Sequence, residues 1–231
     1  MILQYLQHND FETPGSILDW ARECGAEVRG TMLFAGEALP DPESFDWLVV
    51  MGGPMNVYEE EKYPWLAAEK TLIRAAGERG KTVLGLCLGA QLIAAAYGGA
   101  VTRNPEPEIG WHTVRLTEEA ERMPTLAGFP RELTVFQWHG DTFSALPQGA
   151  TRIAAGDACY NQAFCIGARV FGFQFHLENT AQIIESLLTN CADEMTDAPY
   201  VQSPVEIASR PDCIRACNAY MKQFLDALAQ S

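Results

Sequence analysis

Apolar runs alternate with segments of helical periodicity through the first half of the chain. Four short runs are rich in apolar side chains, as is typical of strands buried in a parallel sheet: residues 2–7, 26–34, 45–51 and 82–86. Between them, apolar positions recur at helical spacing in residues 13–24, 59–79 and 88–97. This order of elements predicts an α/β fold with a parallel sheet flanked by helices.

Capping and charge predict where two of these helices begin. Thr13 and Pro14 offer an N-cap and a first-turn proline for the first helix. The acidic run of residues 59–61 suits the first turn of the helix predicted over 59–79, because acidic side chains interact favourably with the amino end of the helix dipole.

The pattern changes in the second half, where strands follow one another with little helix between them. The predicted strands are residues 111–116, 133–138, 151–155, 163–166 and 170–175. A mixed, mostly parallel sheet with an antiparallel extension is therefore expected.

The end of the chain is predicted to be helical. Thr180 caps a helix over 180–188, residues 191–209 form an irregular connector, and residues 211–229 form an amphipathic helix. We expect one domain over residues 1–190 and a C-terminal helical extension over 191–231 that packs on it.

One stretch, Thr82 to Gln91, is the candidate centre of the chemistry. A predicted strand ends at Cys87, which is flanked by glycines, and a small-residue helix follows at once. A cysteine on such a turn points out of the sheet beside a helix amino terminus, where N–H groups and the helix dipole favour a thiolate. This layout matches a nucleophile elbow. Gly52 and Gly53 end another buried strand, and their backbone N–H groups can closely approach a ligand.

Two of the four histidines compete for the role of base. His176 ends a predicted strand with Glu178 two residues on, and His139 follows another strand with Asp141 at the same spacing. In either arrangement the imidazole could take the thiol proton while the carboxylate orients the ring. The residues alone do not choose between them. His8 also follows a strand, and no role is assigned to it.

Composition and charge limit the classes of partner that the chain is expected to bind. The chain has 231 residues, of which 48% are hydrophobic, so a full core is expected. A net charge of −14 argues against nucleic acid or an anionic membrane as partner.

Seven scattered cysteines are best explained as free thiols in the cytoplasm, although Cys159 and Cys165 flank a turn where a disulfide is conceivable. Cys213 and Cys217 have a metal-compatible spacing but no second ligand pair, so packing is favoured.

Three motifs together resemble the signatures of class I glutamine amidotransferases. They are the Gly-Leu-Cys-Leu-Gly-Ala-Gln stretch around Cys87, the Gly-Gly-Pro at 52–54 and the Phe-His-Leu-Glu at 175–178. The resemblance covers about residues 1–190. The segments 104–111 and 138–143 are more specifically similar to the stand-alone branch related to the amidotransferase domain of GMP synthase. The resemblance implies a flavodoxin-like fold of that class.

The resemblance also implies roles for individual residues. Cys87 would attack a γ-glutamyl carbonyl, with His176 as base and Glu178 as its orienter. The backbone N–H groups of Gly53 and Leu88 would hold the oxyanion, each worth about 3–4 kcal/mol. The residues expected around the substrate are Gly52, Gln91, His139, Asp141, Asn161 and Gln162. No cofactor and no metal are expected.

Two departures from the family pattern concern the site. Leu177 stands where the family often has proline, but the spacing of His176 and Glu178 is intact. Ala90 stands where another residue is common, and its small side chain leaves room beside the nucleophile.

Three functions follow from the resemblance. The first is a free-standing amidohydrolase that acts on glutamine or another small γ-glutamyl compound. The second is a glutaminase subunit that supplies ammonia to a synthase on another chain. The third is a non-catalytic interaction protein on the same fold, against which the intact Cys87, His176 and Glu178 argue.

Overall fold

Nine strands form a single mixed sheet in the computed structural model, which describes residues 1–230. The strands are β1 Ile2–Gln7, β2 Glu27–Met32, β3 Trp47–Val50, β4 Thr82–Leu86, β5 Ala100–Leu116, β6 Glu132–Ala145, β7 Ala150–Ala155, β8 Ala163–Ile166 and β9 Val170–Phe173. Their order is β2-β1-β3-β4-β9-β8-β7-β5-β6. The first five in this order are parallel, as in flavodoxin-like sheets, and the other pairs are antiparallel. The predicted fold class is confirmed.

Helices cover both faces of the sheet. They are α1 Ser16–Glu23, α2 Trp65–Glu78, α3 Leu88–Ala96, α4 Glu118–Glu121, α5 Ala181–Asn190, α6 Pro204–Ala208 and α7 Pro211–Ala229. Helices α1, α5 and α7 pack on one face, and α2 and α3 pack on the other. Within residues 1–230, no helix combines the length and the hydropathy that a membrane span requires.

Strand β3 shows why its sequence is apolar throughout. Trp47 and Val49 face the α1 side of the sheet, whereas Leu48 and Val50 face the α2 side. Successive strand residues point to opposite faces, so a strand with helices on both sides needs apolar residues at every position.

Two helices begin later than predicted. Helix α1 begins at Ser16 after Gly15, whose φ is +51°, so Thr13 is not its cap. A Cβ on Gly15 would lie 2.2 Å from the Glu178 carbonyl oxygen, which accepts a hydrogen bond from Ser16 N at 2.9 Å. Helix α2 begins at Trp65, because the acidic run before it makes local contacts instead. The Glu59 carboxylate accepts a hydrogen bond from Asn56 N at 2.7 Å.

The long hairpin of β5 and β6 extends well beyond the predicted strands. The pairing between β5 and β6 extends from Arg115 back to Ala100, with an irregular register between Arg103 and Glu108. Pro105 and Pro107 lie in this interval and cannot donate ladder hydrogen bonds, which explains both the irregularity and the missed prediction.

The C-terminal elements agree with the sequence pattern except in the connector. The Thr180 hydroxyl caps α5, as predicted, and α7 has the predicted bounds. The segment predicted to be irregular contains the short helix α6, which Ser203 and Glu206 begin with a capping box. On α7, the Phe224 ring packs 5.1 Å from both Phe171 and Phe173 of β9. Ser231, the last residue of the predicted extension, lies outside the described residues.

Close contact between α3 and β3 leads to a stability prediction. A Cβ on Gly89 would lie 2.0 Å from the Val50 carbonyl oxygen. Although alanine is intrinsically better than glycine in a helix by about 1 kcal/mol, we expect Gly89→Ala to destabilise the protein by about 1–3 kcal/mol or more. Thermal unfolding measures this loss.

Gly140→Ala is the matched control. The nearest atoms to the added Cβ all belong to the Arg103 guanidinium, the flexible end of a side chain, with Nη1 the nearest at 2.8 Å. A Gly89→Ala protein at least as stable as Gly140→Ala would contradict the predicted clash.

Candidate active site

Cys87 lies on a strained turn between β4 and α3. Its φ is +51° and its ψ is −108°, and it is the only non-glycine among residues 1–230 with positive φ. Glycines at both sides make the turn possible. A Cβ on Gly85 would lie 2.4 Å from the Gly89 carbonyl group, and one on Gly89 would reach Val50. The sequence thus forms the predicted elbow, with the thiol beside the first turn of α3.

His176 lies against the Cys87 thiol, and its charge and hydrogen bonding oppose the rise that burial causes in the pKa of the thiol. The thiol also donates to Trp138 O at 3.5 Å and accepts from Gln174 Nε2 at 3.7 Å. The other side of the imidazole contacts Glu178, with 2.6 Å between His176 Nδ1 and Glu178 Oε1. Because Nδ1 is engaged by the carboxylate, Nε2 is the nitrogen available to the thiol. All three side chains are buried. We call Cys87, His176 and Glu178 the triad.

Burial and charge act in opposite directions on the triad. Burial alone would lower the pKa of His176, but the Glu178 carboxylate and the bond to Cys87 outweigh it and hold that pKa well above its usual value. Burial raises the pKa of the Cys87 thiol, and the hydrogen bond and charge of His176 oppose this rise. Glu178 therefore favours an imidazolium, and that charge stabilises a thiolate at Cys87.

Two residues with backbone N–H groups line the cavity together with Cys87. Leu88 begins α3, and its N–H group opposes the rise in the pKa of the Cys87 thiol. Gly53 lines the same cavity, and its N–H group has no hydrogen-bond partner within residues 1–230. Donors placed in this way could stabilise negative charge that develops on a carbonyl oxygen under attack.

The loop that carries His176 and Glu178 is fixed by three other elements. His176 N donates to Phe136 O of β6 at 2.8 Å, and the Glu178 carbonyl accepts from α1. From α7, Asn218 Nδ2 donates to Leu177 O at 2.9 Å and to Asn179 O at 3.0 Å. The C-terminal helix thus holds the chain on both sides of Glu178, a role that no local sequence signal indicates.

A cavity of about 410 Å³ opens above the thiol. This volume is within the range of small-molecule sites. Its lining includes Glu12, Gly53, Cys87, Leu88, Gln91, Arg103, His139 and Asp141. Gln91 lies on the first turns of α3 and donates to Asp141 O at 2.9 Å, and the Asp141 carboxylate accepts from Tyr58 Oη at 2.9 Å.

His139 lies at the cavity wall and is paired away from the thiol. Its Nδ1 lies 2.9 Å from Asp141 O, and its Nε2 lies 3.0 Å from Glu108 Oε2. Both nitrogens are thus engaged by oxygens other than the Asp141 carboxylate. Among the histidines of residues 1–230, His176 is the one whose charge and hydrogen bonding act on the pKa of the Cys87 thiol.

The two other polar residues predicted near the substrate lie behind the wall. Gln162 Nε2 donates to Glu108 Oε2 at 2.7 Å, so Gln162 supports the partner of His139. Asn161 Nδ2 donates to Phe143 O at 2.9 Å, and neither residue lines the cavity. Gly52 is buried beside the cavity-lining Gly53.

One carboxylate at the site, that of Glu12, is not indicated by any motif in the sequence. Glu12 lines the cavity, and a Cβ on Gly52 would lie 2.3 Å from Glu12 Oε2 and 3.4 Å from His176 Cε1. Burial raises the pKa of Glu12, which His176 and the hydrogen bond from Asn9 oppose. The residue stands in a loop after β1, away from the three motifs.

Glu108, His139 and Cys159 are the one group within residues 1–230 whose potential metal-ligand atoms lie close together. Their donor atoms lie within 4.8 Å of one another. Hydrogen bonds already engage them, since Gln162 and His139 contact Glu108, and Thr142 Oγ1 lies 3.0 Å from Cys159 Sγ. The seven cysteines, including Cys213 and Cys217, are all free thiols.

A family model confirms the resemblance. The model described as glutamine amidotransferase class-I matches residues 15–195. This chain belongs to the class I glutamine amidotransferase family. It is 37% identical to the glutamine amidotransferase-like protein YfeJ of Salmonella typhimurium over 99% of this chain and 97% of that protein. A crystal structure of a glutamine amidotransferase from Thermotoga maritima is 31% identical, with a TM-score of 0.90 over 100% of this chain and 99% of the other.

Two less similar relatives carry names that specify an activity. Gamma-glutamyl peptidase 3 of Arabidopsis thaliana is 25% identical over 79% of this amidotransferase-family chain and 76% of the peptidase. GMP synthase of Streptococcus mutans is 32% identical over 57% of this chain, but the match covers only 24% of the synthase. The similarity to GMP synthase therefore concerns part of that larger protein.

Replacing Glu178 should change the reactivity of Cys87. Glu178→Gln removes the charge that raises the pKa of His176, so less imidazolium stabilises the thiolate. We expect alkylation of Cys87 by iodoacetamide at pH 7 to slow at least about tenfold, and its pH profile to move to higher pH. Mass spectrometry of the labelled peptide measures the rate.

The background and the control follow from the structure. Cys24 is the exposed thiol, so the experiment uses a Cys24→Ser background. Burial raises the pKa of Cys159 to about 11 and that of Cys217 to about 12, so both react slowly at pH 7. Glu61→Gln, in the exposed loop before α2, should leave the profile in place. An unchanged profile in Glu178→Gln would contradict the coupling.

Alanine at the two competing histidines should rank them. We expect His176→Ala to abolish acylation of Cys87, with a loss of about 10²–10⁴-fold or more, and His139→Ala only to weaken it. Single-turnover formation of the acyl-enzyme measures both, with thermal unfolding as the check on folding. The opposite ranking would mean that His139 is the base.

Proposed function

We propose that the chain is a cysteine amidohydrolase that cleaves the γ-amide of glutamine or of another small γ-glutamyl compound. The single observation that carries this proposal is the triad, in which His176 lies against Cys87 and is hydrogen-bonded to Glu178, at a cavity that Gly53 and Leu88 also line. Thiol, base and orienter are the parts that covalent acyl transfer requires.

Acylation requires Cys87 as the nucleophile and His176 as the carrier of the proton. Cys87 Sγ attacks the γ-carbonyl carbon while His176 Nε2 takes the thiol proton. The carbonyl oxygen becomes an oxyanion that accepts from the Gly53 and Leu88 N–H groups. The C–N bond then breaks, and His176 returns the proton to the leaving nitrogen. Ammonia or an amine departs, and a γ-glutamyl thioester remains on Cys87.

Hydrolysis restores the starting state. His176 takes a proton from water, whose oxygen attacks the thioester carbonyl and forms a second oxyanion in the same place. Expulsion of sulfur releases glutamate, and the proton on His176 returns to the thiolate. Glu178 keeps its charge throughout and stabilises each imidazolium.

The cavity is suited to a zwitterionic γ-glutamyl group. Such a group carries an α-ammonium and an α-carboxylate at the end remote from the amide. Carboxylates of Glu12 and Asp141 and the guanidinium of Arg103 line the cavity, so both charges have complements there. Gamma-glutamyl peptidase 3 is a relative whose name indicates γ-glutamyl chemistry.

A second function is supported by the similarity to GMP synthase. In that alternative the chain releases ammonia from glutamine for a synthase on another chain. The match to one part of a larger synthase is the observation that favours it. Free thiols at all seven cysteines are consistent with either function in the cytoplasm.

A product assay separates the two functions. Ammonia and glutamate are measured with glutamine as substrate, and amine release is measured with γ-glutamyl amides and peptides. We expect turnover of γ-glutamyl compounds by the chain alone and a loss of at least about 10³-fold in Cys87→Ala. Hydroxylamine, added as a competing acceptor, should trap the thioester as γ-glutamyl hydroxamate.

Three other outcomes are informative. Glutamine turnover that appears only with a second protein present would support the synthase alternative. Equal inertness of wild type and Cys87→Ala towards every compound, with no adduct from a glutamine-like chloroketone, would refute catalysis. Activity that survives Cys87→Ala would place the chemistry elsewhere.

A further inference from the structure

His8 is a buried histidine beside the triad that does not contact the thiol. It follows β1, and its exposed fraction is 1%. His8 Nδ1 lies 3.0 Å from Gly52 O, and Nε2 lies 2.9 Å from Glu69 Oε1. Glu69 lies in the middle of α2 and is fully buried. His8 therefore connects a helix on one face of the sheet to the glycine loop at the cavity.

Both partners of His8 are hydrogen-bond acceptors. A carbonyl oxygen can only accept, so Nδ1 carries a hydrogen in the bond to Gly52 O. Nε2 also donates whenever the Glu69 carboxylate is ionised. Burial alone would lower the pKa of His8, but the charge and hydrogen bond of Glu69 outweigh it and raise that pKa. His8 is thus held as a double donor, and its side towards Gly52 always presents an N–H group.

The geometry of a peptide bond transmits this constraint to Gly53. Gly52 O and Gly53 N–H belong to one peptide unit, and no peptide bond within residues 1–230 is cis. In a trans peptide, C=O and N–H point in opposite directions. Because the carbonyl points at His8, the Gly53 N–H group points away from His8. Gly53 itself lines the cavity together with Cys87 and Leu88.

The two glycines explain why the peptide needs such a constraint. A Cβ on Gly53 would lie 2.7 Å from His8 Cβ, and one on Gly52 would lie 2.3 Å from Glu12 Oε2. Larger residues are therefore disfavoured at both positions. Glycine, however, allows the intervening peptide to rotate. A rotated peptide would turn the Gly53 N–H group towards the His8 N–H group, and two donors repel each other.

The buried charge pair is poorly explained by stability alone. Glu69 Oε2 has no hydrogen-bond partner within residues 1–230. Removing an imidazolium and a carboxylate from water carries a penalty that apolar side chains of similar volume would avoid. A positional role accounts for keeping the pair at this place.

We propose that His8, oriented by Glu69, is a positioning residue that fixes the Gly52–Gly53 peptide with its N–H group directed at the oxyanion. This inference rests on the proposed amidohydrolase function. It assigns a role to a residue outside the three motifs, and it predicts a defect in acylation that leaves the thiol itself reactive.

The experiment compares donor and non-donor side chains at residue 8. All variants carry Glu69→Gln, which leaves no unpaired buried charge, and Glu69→Gln alone is the reference. His8→Asn keeps a donor near the place of Nδ1, and His8→Leu removes it. We expect kcat for a γ-glutamyl amide to fall about 10²–10³-fold in the leucine variant, with KM changed far less, and to be largely retained in the asparagine variant.

A second reaction reports on the thiol alone. Alkylation of Cys87 by iodoacetamide needs no oxyanion donor, so its rate should stay within about threefold of the reference in the leucine variant. A purely structural defect would slow both reactions in parallel. Equal kcat in the leucine variant and the reference, or a parallel loss of alkylation, would overturn the proposal.

Glutamine and methionine form a second pair in case the leucine variant does not fold. The two side chains are unbranched and of similar length, but methionine has no N–H or O–H group that could donate to Gly52 O. We expect the glutamine variant to be at least about tenfold more active than the methionine variant, and equal activities would overturn the proposal.

Different results would contradict the proposed function and the role of His8. If the protein without substitutions turns over no γ-glutamyl compound, the proposed function and the role of His8 both fall. If it is active, Cys87→Ala is inert and the residue 8 variants match the reference, only the role of His8 falls.

Discussion

The left-handed backbone at Cys87 is the constraint around which the molecule is arranged. A non-glycine residue in such a conformation typically costs of order 1–3 kcal/mol and persists only where its surroundings over-determine it. Here the surroundings are backbone: Cys87 N donates to Phe173 O at 2.8 Å, and Gly85 and Gly89 allow close contact among β4, α3 and β3. The central parallel sheet thus stores the strain that holds the thiol at the rim of the cavity.

Three buried imidazole–carboxylate pairs surround this turn, and each does something different. His176 with Glu178 contacts the thiol, His139 with Glu108 supports the cavity wall, and His8 with Glu69 holds a backbone carbonyl. Glu178 is close to its histidine in the sequence, so a local pattern can connect the two. Glu108 and Glu69 are far from their histidines along the chain, so no local pattern connects them. Desolvation makes each pair costly, so their concentration around one cysteine fits a site and not a general stabilising device.

Local chemistry explains which features could be predicted from the sequence. The elbow at Cys87 and the cap at Thr180 depend on neighbouring residues, and both were predicted correctly. Glu59 and Thr13 carry good helix-start signals, but the first is overridden by a local contact with Asn56 and the second by the tertiary contact of the Gly15 turn with Glu178. Contacts between distant residues left no signal. His8 and Glu69 are 61 positions apart, and the choice between His176 and His139 depends on how the segment after β9 pairs with the interior of β6.

Asn218 makes the orientation of the base depend on the last helix of the fold. During synthesis the thiol, the glycine loop and the histidine all emerge before the side chain that holds Leu177 and Asn179 in place. A nascent or truncated chain that lacks α7 has every member of the triad without the bonds that hold their loop. The C-terminal helix therefore makes the placement of His176 beside Cys87 depend on contacts that form only after all three residues of the triad have been synthesised.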